Sequence, residues 1–95
     1  MNRRYFTTAI LKEEGIRLDY YILSGNAWDC NERMCTTYGI EIRQTPLHTF
    51  SNCPYKVCAL PDITDDAGKI VHLLRELADS FTDPTGLVDV VEEIV

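Results

Sequence analysis

Four cysteines fall in two evenly spaced pairs, CNERMC and CPYKVC, so that Cys30/Cys35 and Cys53/Cys58 are each Cys-x4-Cys. Four thiolates converging tetrahedrally would hold a structural zinc ion. A hairpin joining a third and a fourth strand is expected to bring Cys35 and Cys58 toward the same part of a sheet. Zinc knuckles more often use Cys-x2-Cys on a tight turn, and CNERMC has no glycine to make one. The leading expectation is therefore packing: Cys35 and Cys58 act as small apolar strand residues, and Cys30 and Cys53 are loop thiols. A zinc-binding structural domain built on Cys30, Cys35, Cys53 and Cys58 is the alternative. Disulfide or redox use comes third, because the chain reads as cytoplasmic.

Other chemistry-bearing residues are sparse. His48 stands close to Cys53 in the chain, but a nucleophile–base pair also needs a third group to orient the base, and none is recognisable. His72 precedes Glu76 by one helical turn, the spacing of an ordinary surface pair. The carboxylates Asp65/Asp66 and Asp89/Glu92/Glu93 have neither metal-loop nor glycosidase spacing. Five glycines are scattered singly, which leaves no phosphate-cradling loop. No catalytic or cofactor-binding residue is expected, and the chain reads as a non-enzyme.

These residues must sit on elements. Residues 3–24, RRYFTTAILKEEGIRLDYYILS, read as two strands about a KEEG turn, rich in aromatic and β-branched residues. Period two puts Tyr5, Thr7, Ala9 and Leu11 on one face and Phe6, Thr8 and Ile10 on the other. In the second strand Leu18, Tyr20 and Ile22 share a face, with Asp19, Tyr21 and Leu23 opposite. From Ser24 to Arg33 the polar run containing Trp28 reads as an exposed loop. TTYGIEIRQT is a third strand, with Tyr38, Ile40 and Ile42 inward. PLHTFSNCP is a loop, and YKVCAL is a fourth strand stopped by Pro61, with Tyr55, Val57 and Ala59 on one face.

After Asp62 the apolar period lengthens. Ile70, Leu74, Leu77, Ala78 and Phe81 form a helical stripe, with Thr64 or Asp65 as N-cap. Asp83 and Pro84 then open a second helix in which Leu87, Val90, Val91 and Ile94 recur at i, i+3, i+4, i+7. Four strands followed by two helices define an α+β fold: an antiparallel four-stranded meander with both helices packed on one face. A single domain spanning residues 1–95 is expected, with strands over about 4–60 and helices over about 64–95.

Charge narrows the partners. The net charge is −6. Residues 1–61 carry seven Lys/Arg against six Asp/Glu, whereas residues 62–95 carry two against nine. The last helix has Asp89, Glu92 and Glu93 and no cation, so it would repel phosphates, and nucleic acid is not an expected partner. No stretch reaches the length of a membrane span, so no membrane partner is expected. MNRRYFTTAILKEEG lacks the apolar core of a signal peptide, and a cytoplasmic protein is the expectation.

YGIEI and the run DITDD…IVHLLRELADSFTDPTGLVDVVEEIV resemble a family of short bacterial proteins of unknown function, DUF6514. The shared marks are the Tyr-Gly-Ile strand, an Asp-Ile-Ser/Thr helix entry and the ending Pro-x-x-Leu-x-Asp-Val-Val-Glu. The resemblance covers Tyr38–Ile42 and Asp62–Val95 well and the first strands in outline. It implies the fold above, and it brings no assigned site residue or cofactor. The cysteines lie outside the shared pattern.

The functional expectation is a protein-interaction or regulatory module without a cofactor, holding a protein partner or a second copy. Trp28, alone in a polar segment, is the first candidate anchor. Val88 and Val95, beside the main stripe of a short and widely apolar helix, are the others. The free sheet face and an edge strand could also serve.

Overall fold

The structure is a computed structural model that describes residues 2–28, 31–48 and 54–94. Four strands come first: β1 (Asn2–Leu11), β2 (Ile16–Trp28), β3 (Met34–Pro46) and β4 (Lys56–Thr64). Two helices follow, α1 (Ala67–Asp79) and α2 (Leu87–Ile94). The strands form one antiparallel sheet in the order β1-β2-β3-β4. It is the expected meander with helices after it. No described helix is long and apolar enough to cross a membrane.

Alternation sorts the two faces of the sheet. Leu18 and Tyr20 of β2, and Ile40 and Ile42 of β3, are fully buried against Ile70, Leu73, Leu74 and Leu77 of α1 and Leu87 of α2. Cys58 and Leu60 of β4 extend this layer, since Cys58 pairs with Ile42 and Leu60 with Ile40. Burial of these side chains is the main stabilising term, at about 1.5–3 kcal/mol for each fully covered large aliphatic. The Tyr20 hydroxyl spans the core and donates to the Thr82 carbonyl at 2.9 Å, tying the segment between the helices to the sheet. Burial, with the Asp83 charge second, pushes the Tyr20 phenol well above its ordinary value.

Several details depart from the periodic reading. In β1 the register shifts between Tyr5, which pairs with Tyr21, and Thr7, which pairs with Tyr20. Phe6 is the extra residue of a β-bulge. It packs against the core, while Tyr5 moves to the open face and bonds Thr8 at 2.6 Å. Strict alternation had put Tyr5 with Ala9 and Leu11; one inserted residue reverses it. The segment expected as a loop from Ser24 is strand as far as Trp28, which pairs with Met34.

β4 does not stop at Pro61. Between the pairs Ile40–Leu60 and Tyr38–Thr64, two steps along β3 match four along β4. The excess is absorbed by a bend in which Asp62 has φ 56°. An edge strand tolerates Pro61 because no ladder bond is demanded on its outer side. Thr37 donates to the Asp62 carboxylate across the bend. At the β1–β2 turn Gly15 takes φ 67°, and its carbonyl accepts from the Leu47 N–H at 2.9 Å.

The helix ends are also corrected. Asp66, not Thr64 or Asp65, caps α1: its carboxylate accepts from the Gly68 and Lys69 N–H groups at 2.8 and 3.2 Å. Thr64 instead accepts from the Asp66 N–H. Phe81 leaves the apolar stripe, because α1 ends at Asp79 and Phe81 sits at φ 54°, 48% exposed. Leu73, absent from the expected stripe, is core. α2 begins at Leu87 rather than Pro84; Asp83 caps a preceding turn by accepting from the Gly86 N–H at 2.9 Å.

Candidate interaction surfaces

With α1 and α2 on one face, three regions stand open among the described residues: the opposite face of the sheet, its outer edges, and the far end of the β2–β3 hairpin. The open face carries a connected polar lattice. Glu41 of β3 accepts from Arg3 of β1 at 3.1 Å and from Arg43 of β3 at 2.7 Å. Both guanidiniums lie near the Tyr21 ring, 4.9 Å from its centroid for Arg3 and 5.8 Å for Arg43. Tyr5 meets the same ring edge-to-face at 5.9 Å.

A second arm of the lattice runs through Asp19. Its carboxylate accepts from Thr8 at 2.5 Å and from the Arg17 Nε at 3.1 Å. Because Thr8 spends its only hydroxyl proton on Asp19, the Tyr5 hydroxyl must be the donor in the Tyr5–Thr8 bond. Asp19 and Glu41 are thereby buried although no helix covers them. Charged groups shielded by their own cross-strand partners make the centre of this face self-sufficient. Alternation opposite Leu18 and Tyr20 in β2 and Ile40 and Ile42 in β3 predicts this face for Asp19, Glu41 and Arg43, but it does not predict the lattice. Its only trace was the recurrence of Arg, Tyr and acidic residues at outward positions on adjacent strands.

The cysteines do not come together. Cys35 pairs with Ala27 near the far end of the hairpin, and Cys58 pairs with Ile42. Seven steps of β3 separate the two rows, roughly 23 Å at about 3.3 Å per residue. Parity also sets them on opposite faces of the sheet. The expected approach of Cys35 to Cys58 therefore fails, and one tetrahedral ion cannot take both. Both are half-buried free thiols, and Cys58 packs against the core. Cys30 and Cys53 lie outside the described residues. His72 is an exposed helix residue bonded to Glu76 at 3.1 Å, and His48 is exposed.

Of the candidate anchors, Val88 is 39% exposed on α2, and Val95 lies outside the described residues. Trp28 closes β2. The pairing of β1 with β2 reaches only Ser24, and that of β4 with β3 only Tyr38. Residues 25–28 and 34–37 thus continue as a two-stranded ribbon, with no third strand among the described residues. Met34, the partner of Trp28, is 55% exposed, and Asn26 and Thr36 are exposed beside it. The molecule is correspondingly long, 52 Å against 23 and 18 Å.

The two sheet edges differ. β1 carries Arg3 and Arg4 and the Phe6 bulge, which are devices that discourage further pairing. β4 presents the uncharged run Val57-Cys58-Ala59-Leu60. A half-open groove of about 710 Å³ lies along α1 beside the end of β4; Ile63 and Leu73 give it apolar walls, and Thr64, Asp66, Lys69, His72 and Glu76 are the polar ones.

Comparison with known proteins adds a family. The model described as a family of unknown function (DUF6514) matches residues 1–95, so the chain belongs to that family. No curated protein and no solved structure matches it.

Proposed function

We propose that this member of the DUF6514 family is a non-catalytic protein-interaction module that engages a protein partner through the ribbon of residues 25–28 and 34–37. The observation that carries the reading is the ribbon itself. An isolated two-stranded hairpin is at best marginally stable in water, and three strands or a packed helix are the usual requirement. Here strand pairing continues past the body of the fold and ends on Trp28 opposite an exposed Met34. A large aromatic residue type and a flexible thioether, at a tip with no third strand among the described residues, match the composition of interface anchors. The rest of the open face supports the same choice, because its charges already satisfy one another.

The test is photo-cross-linking in the cells that make the protein, with benzoylphenylalanine placed at position 28, at position 34, or at position 12 in the β1–β2 turn, at the opposite end of the sheet. A discrete protein adduct from positions 28 and 34, absent from position 12, is the expected result. No adduct from 28 or 34 in a folded protein would reject the ribbon as the contact.

A further inference from the structure

A second docking site, separate from the ribbon and independent of its role, lies along β4 and α1. We propose that β4 accepts an extended segment of a partner protein as a fifth strand, and that this segment alternates apolar and basic side chains.

Three observations meet there. First, residues 56–60 form an outer edge with no charge between Lys56 and Asp62, and β4 has no strand beyond it among the described residues. The opposite edge is protected by a bulge and arginines, so the contrast lies within one sheet. Second, this edge is apolar on its open side: Tyr55 is 61% and Val57 43% exposed, and Ala59 is exposed in the same row. A strand added here would lay alternate side chains against that row, while its backbone bonded the free edge.

Third, the groove begins beside the end of β4. Pro61 offers no N–H, and Asp62, at φ 56°, turns the chain, so a fifth strand would pair with the outer edge only as far as Leu60, although β4 itself rejoins β3 at Thr64. An added segment leaving the edge at that point meets Ile63 and Leu73, with Asp66 and Glu76 at the groove and exposed Asp62 and Asp65 adjoining. Lys69 is the one fixed cation among these walls. Residues 62–95 as a whole carry nine acidic against two basic side chains. Charge complementarity therefore selects lysine or arginine on the incoming segment, and it argues against a second copy of this acidic chain.

The probes are fluorescein-labelled ten-residue peptides added to the full chain. One alternates valine and lysine, one alternates valine and glutamate, and two are valine–lysine peptides N-methylated on the valines or on the lysines. Anisotropy should show saturable binding of the valine–lysine peptide and at least tenfold weaker binding of the valine–glutamate peptide. Because a strand pairs through only one of its edges, one N-methylated form should lose at least tenfold while the other keeps its affinity. Glu76→Lys, on an exposed position of α1, should weaken binding about threefold or more. Amide shifts should fall on residues 56–60 and 69–76. Equal binding of the acidic peptide, equal loss in both N-methylated forms, shifts confined to other residues, or no binding at all would each overturn the proposal. So would concentration-dependent self-association that protects residues 56–60, which would give the edge to a second copy.

Discussion

Gly39 faces the carbonyl of Leu60 so closely that a Cβ would stand 2.2 Å from that oxygen and 2.6 Å from the Pro61 Cα. Both obstacles are backbone, at the point where the β3–β4 register shifts. Glycine at position 39 is thus a requirement of close approach rather than of dihedral freedom. Gly39→Ala should cost about 3 kcal/mol or more, because a strand and not a side chain must move. Urea denaturation measures it, and a loss under about 1 kcal/mol would show that the bend is free to open.

Tyr20 links stability to alkaline pH. Its phenol is raised by burial and by Asp83, so the folded state favours the neutral form. That preference contributes fully below the ordinary tyrosine value of about 10 and is lost as pH climbs beyond it. Tyr20→Phe should cost roughly 1–2 kcal/mol at pH 7 by leaving the Thr82 carbonyl without its donor. Between pH 9 and 11 the urea midpoint of the parent should fall more steeply than that of the variant. Parallel slopes would remove Tyr20 from the account.

Asp66→Ala takes the acceptor from two N–H groups in the first turn of α1. A loss of about 1 kcal/mol is expected, with Asp66→Asn recovering most of it. A thermal-melt series of the three proteins decides the point.

Phe81 holds a left-handed backbone conformation that favours glycine after a helix, and it spends much of its ring in solvent. Phe81→Gly should leave stability unchanged or raise it by up to about 1 kcal/mol. A clear loss would mean that the buried half of the ring outweighs the backbone gain.

The separation of Cys35 from Cys58 makes its own prediction. Excess chelator should leave the melting temperature unchanged, and Cys35→Ser should be nearly neutral. Cys58→Ser, on the core side, should cost about 1–2 kcal/mol. Stoichiometric zinc whose removal unfolds the domain would overturn this.

The fold was legible because its signals are periodic and local. Leu18, Tyr20, Ile40 and Ile42 alternate cleanly, and the change to helical spacing at Ile70, Leu74 and Leu77 is abrupt. The failures share one physical cause: a single residue inserted or turned resets everything beyond it. Phe6 carried Tyr5 to the other face, and Asp62 let β4 run beyond Pro61. Phe81 lies past the end of the stripe that its hydrophobicity predicts it to continue. The ribbon was hidden because Ser24, Gly25 and Asn26 are turn formers, yet pairing with Thr36–Tyr38 holds them extended. The Arg3–Glu41–Arg43 cluster joins residues 38 positions apart, which no local pattern reveals. Trp28 was singled out by its isolation in the sequence, and its place at the end of β2 came only from the register.

The sequential strand order also governs how the chain can assemble. Each strand pairs with its immediate neighbour in sequence, so every ladder closes a short loop and none waits for a distant segment. Loop closure is the entropic toll that slows sheet proteins, and here it is levied in small instalments. The sheet can zip outward from the β2–β3 hairpin, whose thirteen paired positions make it the longest ladder. The helices have nothing to pack against until its core face exists. Substitutions at Tyr20 or Ile42 should therefore slow refolding, whereas Leu87→Ala should chiefly hasten unfolding, leaving α2 the last piece to settle and the first to leave.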